Sequence, residues 1–278
     1  MKYEILDKIQ SPADIKELSV IELEKLCAEI RDYMIECCSV NPGHLGSSLG
    51  AVELIVALHY IYNTPKDKLV FDVSHQAYAH KIITGRKEAF RNNRKKDGIS
   101  GFTKISESEY DAFGAGHSST SISAALGFAE AAKIKGIDEK AVALIGDGAL
   151  SGGLAFEGLN NAGCTPNNML IILNDNNMSI DHAVGGMKDY LHQLHTSSTY
   201  NRLRNKVAQK LTSWGWLSDK GKKRIIRLNN SIKSFIHNQQ NVFEGMDIRY
   251  FGPSDGNNVI ELVRILKIIK DMKGPKIL

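Results

Sequence analysis

Apolar residues recur along the chain at two different spacings, and each spacing predicts one kind of element. Between residues 14 and 40 they recur every three or four positions with charged residues between them, which predicts an amphipathic helix. Continuous apolar runs of about five residues instead predict buried strands. The predicted helices span 14–40, 51–62, 121–136, 152–163 and 258–274. The predicted strands span 68–73, 141–145 and 169–173, and a further strand begins within 274–278.

Glycine, proline and polar residues interrupt these patterns where the chain turns. The segment 41–50 contains Pro42 and three glycines, and the segment 97–118 is largely polar, so both are predicted to be loops. A polar turn running into a helix is predicted over 74–85. The alternation of strands and helices indicates an α/β fold with a parallel sheet and helices on both faces. With 278 residues and 42% hydrophobic content, we expect a single domain over 1–278.

Composition and charge exclude several classes of protein. The net charge of +4 is too small to argue for a nucleic-acid partner, and no apolar run reaches the length of a membrane span. The N-terminal residues are charged throughout and lack the apolar core of a signal peptide. The four cysteines have no CxxC spacing, so neither a zinc site nor a disulfide framework is indicated. We therefore expect a soluble, cytoplasmic protein without nucleic-acid or membrane partners.

Residues 184–240 differ from the rest of the chain. Between 201 and 233 there are ten Lys or Arg residues and one acidic residue, Asp219, and both tryptophans lie there as well. We interpret this region as a mobile helical excursion with a basic, solvated face. A nucleic-acid or membrane patch is the alternative, but the region lacks the interleaved aromatic platforms of such a patch. The sequence leaves the role of the basic residues open.

Two polar turns each follow an apolar strand of the predicted sheet. Residues 146–148 read GDG, and Asp175 and Asn176 come 26 residues after them, at the end of the next strand. Because the carboxyl ends of parallel strands meet at one edge of a sheet, Asp147 and Asn176 are expected to lie close together. A carboxylate, an amide oxygen and a backbone carbonyl form a hard ligand set that suits Mg²⁺. The glycines beside Asp147 and a helix beginning near Ser151 would accommodate a diphosphate.

Blocks of sequence that carry a family resemblance run over nearly the whole chain, with 184–240 the least alike. They read SPADIKELS, HLGSSLGAVELIVALHY, DVSHQAYAHKIITGR, SGFTKISESEYDAFGAGHSSTSISAALG, GDGALSGGLAFEGLNNAG, LNDNNMSI and YFGPSDG. The GDG and NDN turns, with their spacing, are similar to the thiamine-diphosphate motif of transketolase-type enzymes. In this order the blocks resemble the 1-deoxy-D-xylulose-5-phosphate synthase family. GHSSTSIS and YFGPSDG distinguish that family from the transketolases proper.

The resemblance implies a site for thiamine diphosphate and Mg²⁺ within a diphosphate-binding fold of transketolase type. Its implied catalytic residue is His44, which would face the reacting centre and either shuttle protons or hold a developing oxyanion. The implied metal ligands are Asp147, Asn176 and the backbone carbonyl of Met178. The residues implied to contact the cofactor are His75, Gly116, His117, Ser118, Gly148, Ala149 and Asn176.

The remaining histidines are not assigned to the site. His59 and His80 lie within predicted helices, so we expect structural roles for them. His182, His192 and His195 lie in the polar region after the second turn and receive no role.

The resemblance further implies which molecules the protein acts on. In that family, pyruvate and glyceraldehyde 3-phosphate give 1-deoxy-D-xylulose 5-phosphate and CO₂, a step that leads to isoprenoids and thiamine, and the enzymes are dimers. Family members are more than twice as long, with pyrimidine-binding and C-terminal domains that this sequence lacks. The missing part includes the glutamate that activates the cofactor ring. We therefore expect the chain alone to be inactive, and to form a homodimer or pair with a chain that carries the missing domains.

Two other functions stay open at this point. The chain could be the N-terminal subunit of a split transketolase-like enzyme, or a non-catalytic paralogue that binds thiamine diphosphate. The sequence also departs from the family pattern at four positions. Gly, Pro, an acid and His are usual where this chain has Ser74, Ala79, Asn177 and Asn257. The first two changes adjust a turn. Asn177 removes a charge from the loop that carries the implied metal ligands Asn176 and Met178.

Overall fold

A computed structural model of the protein describes residues 2–175 and 242–278. The chain divides into two compact units, one made of 1–183 with 246–278 and the other of 184–245. The described part of the second unit is limited to the short helix Val242–Gly245, so the fold below is that of the first unit. Within the described ranges, no helix is long and apolar enough to span a membrane. The predicted basic excursion at 184–240 lies entirely outside the described residues.

The described strands form one sheet in which every neighbouring pair is parallel. Its five strands lie in the order β1-β2-β3-β5-β4. All carboxyl ends therefore lie at the same edge, which is where ligands bind in open parallel sheets. The bounds are β1 Lys68–Phe71, β2 Ala141–Gly146, β3 Leu170–Asn174, β4 Arg249–Tyr250 and β5 Lys276–Ile277.

The described helices connect these strands and cover the sheet. A 3₁₀ turn spans Leu6–Lys8, and a π turn spans Ile82–Arg86 between two short helices. The helices are α1 Pro12–Ile15, α2 Val20–Val40, α3 Leu45–Leu49, α4 Val52–Ile61, α5 Tyr78–Lys81, α6 Lys87–Phe90, α7 Ser121–Lys135, α8 Asp147–Leu150, α9 Gly153–Cys164, α10 Val242–Gly245 and α11 Val259–Ile269.

Alternate strand residues face two different helical layers. Leu69, Val142 and Leu144 belong to one apolar core together with α2, α4 and α11. On the other face α7 packs on β1 and β2, and α9 packs on α7. The close approach of α9 to α7 requires Gly158, because a Cβ atom there would lie 2.9 Å from Cγ2 of Ile122. The predicted α/β fold, a parallel sheet with helices on both faces, is confirmed.

Three details of the predicted elements are wrong. The single helix predicted over 14–40 is two helices, because Ser19 forms a capping box with Glu22 and begins α2 anew. The predicted loop 41–50 contains the short helix α3, and the strand predicted over 68–73 ends at Phe71. It ends there because Val73 and Ser74 both have positive φ angles, 54° and 68°, which no strand accommodates.

Candidate cofactor and metal site

The carboxyl ends of β2 and β3 bring the two polar turns together. These strands are adjacent and parallel, and Gly146 pairs with Asn174 at the end of their ladder. The residue that follows each strand is an aspartate, Asp147 after β2 and Asp175 after β3. The two strand ends are thus neighbours, while the predicted proximity of Asp147 to Asn176 lies outside the described residues. The helix predicted to begin near Ser151 is α9, which begins at Gly153. It begins later because Asp147 opens the separate one-turn helix α8.

The surroundings of Asp147 favour a nearby cation. Its side chain is partly buried, and burial, together with the negative charge of Asp175, raises the pKa of Asp147. A divalent cation would offset this repulsion, and an oxygen donor set fits Mg²⁺. No three His, Cys, Asp or Glu side chains of the described ranges cluster to hold a metal by themselves. Asn176 and Met178, which would have to complete the predicted set, lie outside the described residues.

Two predicted site histidines, His44 and His75, lie side by side. His44 immediately precedes α3, His75 lies in the turn after β1, and their ring centroids are 5.9 Å apart at an interplanar angle of 83°. Burial lowers the pKa of both imidazoles. The positive charge of Arg94 lowers the pKa of His44 further, and His44 does the same to His75. Both rings are therefore neutral at neutral pH, each with one N–H group and one acceptor nitrogen.

Several buried polar atoms at this edge of the sheet have no hydrogen-bond partner among the described residues. They are Nδ1 of His44, Nδ1 of His75 and Oγ of Ser121. Because an unsatisfied buried polar group costs free energy, a polar ligand lying against these loops would be stabilised by them. The residues present thus fit a polar cofactor on the histidine side and a metal-bound anion on the aspartate side.

His44 is held in place by two aromatic side chains. The backbone N–H group of His44 donates a 3.0 Å hydrogen bond to Oη of Tyr78, the first residue of α5. Gly43 makes this approach possible, since any Cβ atom there would collide with the Tyr78 hydroxyl. The ring of Phe102 also packs against the imidazole, with its centroid 5.4 Å from that of His44. The imidazole is therefore oriented by packing as well as by its own backbone.

The loop at 116–121 is fixed by the end of β1. The buried carboxylate of Asp72 accepts hydrogen bonds from the backbone N–H groups of Ser119, at 2.8 Å, and Ser121, at 3.0 Å. This satisfies free N–H groups at the start of α7. Oγ of Ser119 in turn donates a 2.7 Å hydrogen bond to the carbonyl of Ala149, the residue after the GDG turn at 146–148. Asp72 thus joins the loop of His75 to the GHSSTS loop, and Ser119 joins that loop to α8.

The predicted GHS residues lie on the surface of this loop. Gly116, His117 and Ser118 are all exposed, and Gly116 has a φ angle of 147°, which side chains disfavour. No hydrogen bond joins them to His44 or His75 within the described residues. The structure therefore brings His44 with His75, and Asp147 with Asp175, Gly148 and Ala149. Contact of the GHS residues with a cofactor stays a prediction.

Comparison with protein families shows which family the chain belongs to. Residues 6–278 match the family model described as 1-deoxy-D-xylulose-5-phosphate synthase. The chain belongs to the 1-deoxy-D-xylulose-5-phosphate synthase family. The match covers both polar turns, both histidine loops and the Asp72 contact, so the whole edge described above belongs to the part that the family shares.

Proteins named 1-deoxy-D-xylulose-5-phosphate synthase resemble the chain closely over part of their length. The chain is 59% identical over 277 residues to the one from Phocaeicola vulgatus, covering 99% of this chain and 44% of that protein. It is 56% identical over 274 residues to the one from Porphyromonas gingivalis, covering 99% of this chain and 43% of that protein. The chain thus spans less than half the length of these synthase relatives.

Solved transketolase structures share the fold. The transketolase from Campylobacter jejuni superposes with a TM-score of 0.65 at 19% identity, covering 94% of this chain and 37% of that one. The transketolase from Leishmania mexicana gives a TM-score of 0.64 at 18% identity, covering 92% and 36%. The synthase family chain therefore has a transketolase-like α/β fold.

Sequence reasoning missed the residues that connect the loops of this candidate site. Asp72, Tyr78, Phe102 and Ser119 all lie inside the blocks that resemble the family, but none belongs to a spacing pattern that singles it out. The available signal was indirect. Asp72 follows a buried strand, at the position where carboxylates of open sheets meet loops from neighbouring strands.

Proposed function

We propose that this chain supplies the thiamine-diphosphate-binding and Mg²⁺-binding part of a 1-deoxy-D-xylulose-5-phosphate synthase. The proposed reaction converts pyruvate and glyceraldehyde 3-phosphate into 1-deoxy-D-xylulose 5-phosphate and CO₂, in a cytoplasmic enzyme that assembles as a dimer or with a chain carrying the missing domains. Family membership and transketolase-like fold support the reaction class. The observation that carries the site is the pairing of Gly146 with Asn174, which sets Asp147 and Asp175 at neighbouring strand ends.

The metal side of the proposed site is built from oxygen atoms. Asp147 would bind Mg²⁺ directly, with the side chain of Asn176 and the carbonyl of Met178 completing the protein ligands. Gly148 and Ala149 would leave room for the diphosphate beside the metal. The raised pKa of Asp147 supports this role, because a group that burial and a like charge make costly to ionise binds a cation readily.

The organic side of the proposed site is built from neutral imidazoles. Thiamine diphosphate, when bound, supplies the electron sink that 2-oxo acid decarboxylation requires. His75 would contact the cofactor, together with Gly116, His117 and Ser118 of the neighbouring loop. His44 would hold or move a proton at the reacting centre, for which its lowered pKa suits it, since a neutral ring both donates and accepts near neutral pH.

Cofactor binding tests the proposal without any assay of turnover. In titration calorimetry the chain should bind thiamine diphosphate in the presence of Mg²⁺ and lose that binding when the metal is chelated. Asp147→Ala should weaken binding by at least about tenfold, which corresponds to about 1.4 kcal/mol. The matched control is Asp138→Asn, an exposed carboxylate just before the opposite end of β2. Equal affinities for the parent chain and Asp147→Ala would contradict the metal assignment.

A further inference from the structure

The buried carboxylate of Asp111, which is not part of the proposed cofactor site, accepts hydrogen bonds from four N–H groups. Asp111 is fully buried, and its Oδ1 atom accepts from His80 Nε2 at 2.9 Å and from Arg86 at 2.8 Å. Its Oδ2 atom accepts from the other terminal nitrogen of Arg86 and from the backbone N–H group of Lys104, both at 2.8 Å. Four donors saturate the acceptor sites of one carboxylate, so each of these groups is fixed relative to the others.

The cluster connects two segments of different character. His80 lies in α5, and Arg86 ends the π turn that follows it. The segment 91–120, which contains Asp111 and Lys104, has neither helix nor strand along its length. Such a segment has no backbone ladder to fix its path, so side-chain acceptors must do so. Glu107 adds a second link of the same kind, accepting from Lys81 Nζ at 2.8 Å and from the N–H group of Ser100 at 2.7 Å.

Tyr78 and Phe102, the two aromatic residues that hold His44, each lie two residues from a hydrogen-bond partner of Asp111. Tyr78, which accepts the hydrogen bond from the His44 backbone, lies two residues before His80 in α5. Phe102, whose ring packs against the imidazole, lies two residues before Lys104. The contacts of Asp111 therefore link the two segments that carry Tyr78 and Phe102, the aromatic residues beside His44.

We propose that Asp111 is a positioning residue for His44, acting through α5 on one side and through the segment around Phe102 on the other. This inference rests on the proposed function, in which His44 faces the reacting centre, but its geometry stands on described contacts alone. Among the described residues, Asp111 accepts hydrogen bonds from His80, Arg86 and Lys104, and it bonds to neither His44 nor Asp147. Its removal should therefore change the environment of the imidazole while the aspartates at the strand ends keep theirs.

The variant Asp111→Asn tests whether the carboxylate of Asp111 positions His44. Asp111→Asn keeps the size of the side chain, but an amide offers only one acceptor oxygen and would turn an NH₂ group toward the donors. Glu107, at 3.9 Å, would then be the carboxylate nearest to Arg86, and Lys104 would lose its acceptor if the NH₂ group took the place of Oδ2. We expect the segment around Phe102 to move away from His44 as a result.

The environment of His44 can be followed by its ring resonances in a proton–carbon correlation spectrum, assigned with His44→Gln. Phe102→Leu defines the signature of a lost ring contact, because the ring current of Phe102 acts on the imidazole at 5.4 Å. Asp111→Asn should shift the His44 resonance in the same direction as Phe102→Leu. Asp138→Asn, which removes an exposed carboxylate, should leave it in place. A folded Asp111→Asn chain with the parent His44 resonance would overturn the proposal.

A milder change covers the case in which Asp111→Asn does not fold. Arg86→Lys keeps a cation opposite Asp111 but replaces the two-atom fork by a single ammonium, and should shift the His44 resonance in the same direction by less. An unmoved resonance in Arg86→Lys would count equally against the proposal. Cofactor calorimetry is a separate readout. Failure of the parent chain to bind thiamine diphosphate would remove the proposed function and leave the outcome of the resonance test unaffected.

Discussion

Nε2 of His59 lies 2.9 Å from Nδ1 of His80, and both imidazoles are fully buried. The chain of contacts continues at both ends, from the Thr64 hydroxyl to Nδ1 of His59 and from Nε2 of His80 to Asp111. One proton arrangement satisfies every link with two neutral rings, in which each ring carries its proton on Nε2 and accepts on Nδ1. The expectation from sequence that these two histidines are structural agrees with this geometry.

This pair makes the stability of the protein depend on pH. Burial lowers the pKa of His59 and of His80. His80, Lys16 and Arg86 lower the pKa of His59 further, whereas the hydrogen bond to Asp111 opposes the shift of His80 without reversing it. The unfolded chain therefore binds more protons below about pH 6.5. The free energy of unfolding should fall as the pH drops through that value, by about 1.4 kcal/mol per pH unit for each ring.

Urea unfolding at a series of pH values measures this slope, and a variant assigns it. His59→Leu removes one buried ring, so its slope below pH 6.5 should be shallower than that of the parent, in addition to a loss of about 1 to 3 kcal/mol for the unpaired Nδ1 atom of His80. His117→Gln, which removes an exposed imidazole, is the control. Identical slopes for His59→Leu and the parent chain would show that the pair is not responsible.

Ser74 offers a test of backbone strain against hydrogen bonding. Its φ angle of 68° favours glycine, but its hydroxyl accepts from the N–H group of Thr103 at 2.9 Å and donates to the carbonyl of Val73 at 2.6 Å. Ser74→Gly relieves about 1 kcal/mol of strain and leaves a buried N–H group unpaired, at about 1 to 3 kcal/mol. Ser74→Ala keeps the strain and loses the bonds.

The expected order of stability is therefore parent, then Ser74→Gly, then Ser74→Ala, measured by chemical unfolding. A Ser74→Gly chain more stable than the parent would mean that the hydroxyl contacts contribute less than the strain costs. Protection of the Thr103 amide in hydrogen exchange should fall in both variants, since both remove its acceptor.

The sequence predicts the sheet and its ligand edge well, because both depend on local patterns. Apolar runs place β2 and β3, and the polar residues that follow them must lie together once the strands are parallel neighbours. Ser19 shows where local reasoning fails. Its capping box with Glu22 interrupts an apolar periodicity that continues on either side, so the periodicity alone predicts one long helix.

The parts that the sequence does not predict depend on contacts between distant residues. Asp72 and Asp111 look like ordinary polar residues in the sequence. Only the folded chain shows that Asp72 accepts from backbone N–H groups 47 and 49 positions away, and that Asp111 accepts from the buried Arg86, 25 positions away. Lys276 is a similar case. It lies in a predicted strand yet is completely buried, and its ammonium donates to three backbone carbonyls, of Asn168, Met272 and Gly274. No spacing rule identifies a lysine of this kind.

Glu29 should anchor the N-terminal segment. Its buried carboxylate accepts from the backbone N–H groups of residues 4, 5 and 6, at 3.0, 2.9 and 2.7 Å, across the start of the 3₁₀ turn. Glu29→Ala leaves these donors unpaired, and we expect a loss of about 3 kcal/mol in the free energy of unfolding. Amide exchange at Ile5 and Leu6 should accelerate more than elsewhere. Glu24→Ala, an exposed change on the same helix, should leave both measurements unchanged.

Variants of Asp72 and Asp67 separate an effect on stability from an effect on cofactor binding. Both are buried carboxylates next to β1, but at opposite ends. Asp72 accepts from Ser119 and Ser121 at the cofactor edge, whereas Asp67 accepts from the N–H groups of Asn63, at 2.7 Å, and Lys140, at 2.9 Å. Changing either to asparagine turns an NH₂ group toward a backbone donor, so both variants should lose about 1 to 3 kcal/mol of stability.

The two variants should differ in their affinity for thiamine diphosphate with Mg²⁺. Asp72→Asn releases the loop that carries His117 and, through Ser119, the carbonyl of Ala149 beside the metal turn, so its Kd should rise about tenfold, or about 1.4 kcal/mol. Asp67→Asn acts at the far edge of the sheet and should keep the parent Kd under conditions in which it is folded. Equal losses of affinity would mean that Asp72 affects the site only through overall stability, and unchanged affinity in both would separate the GHSSTS loop from cofactor binding altogether.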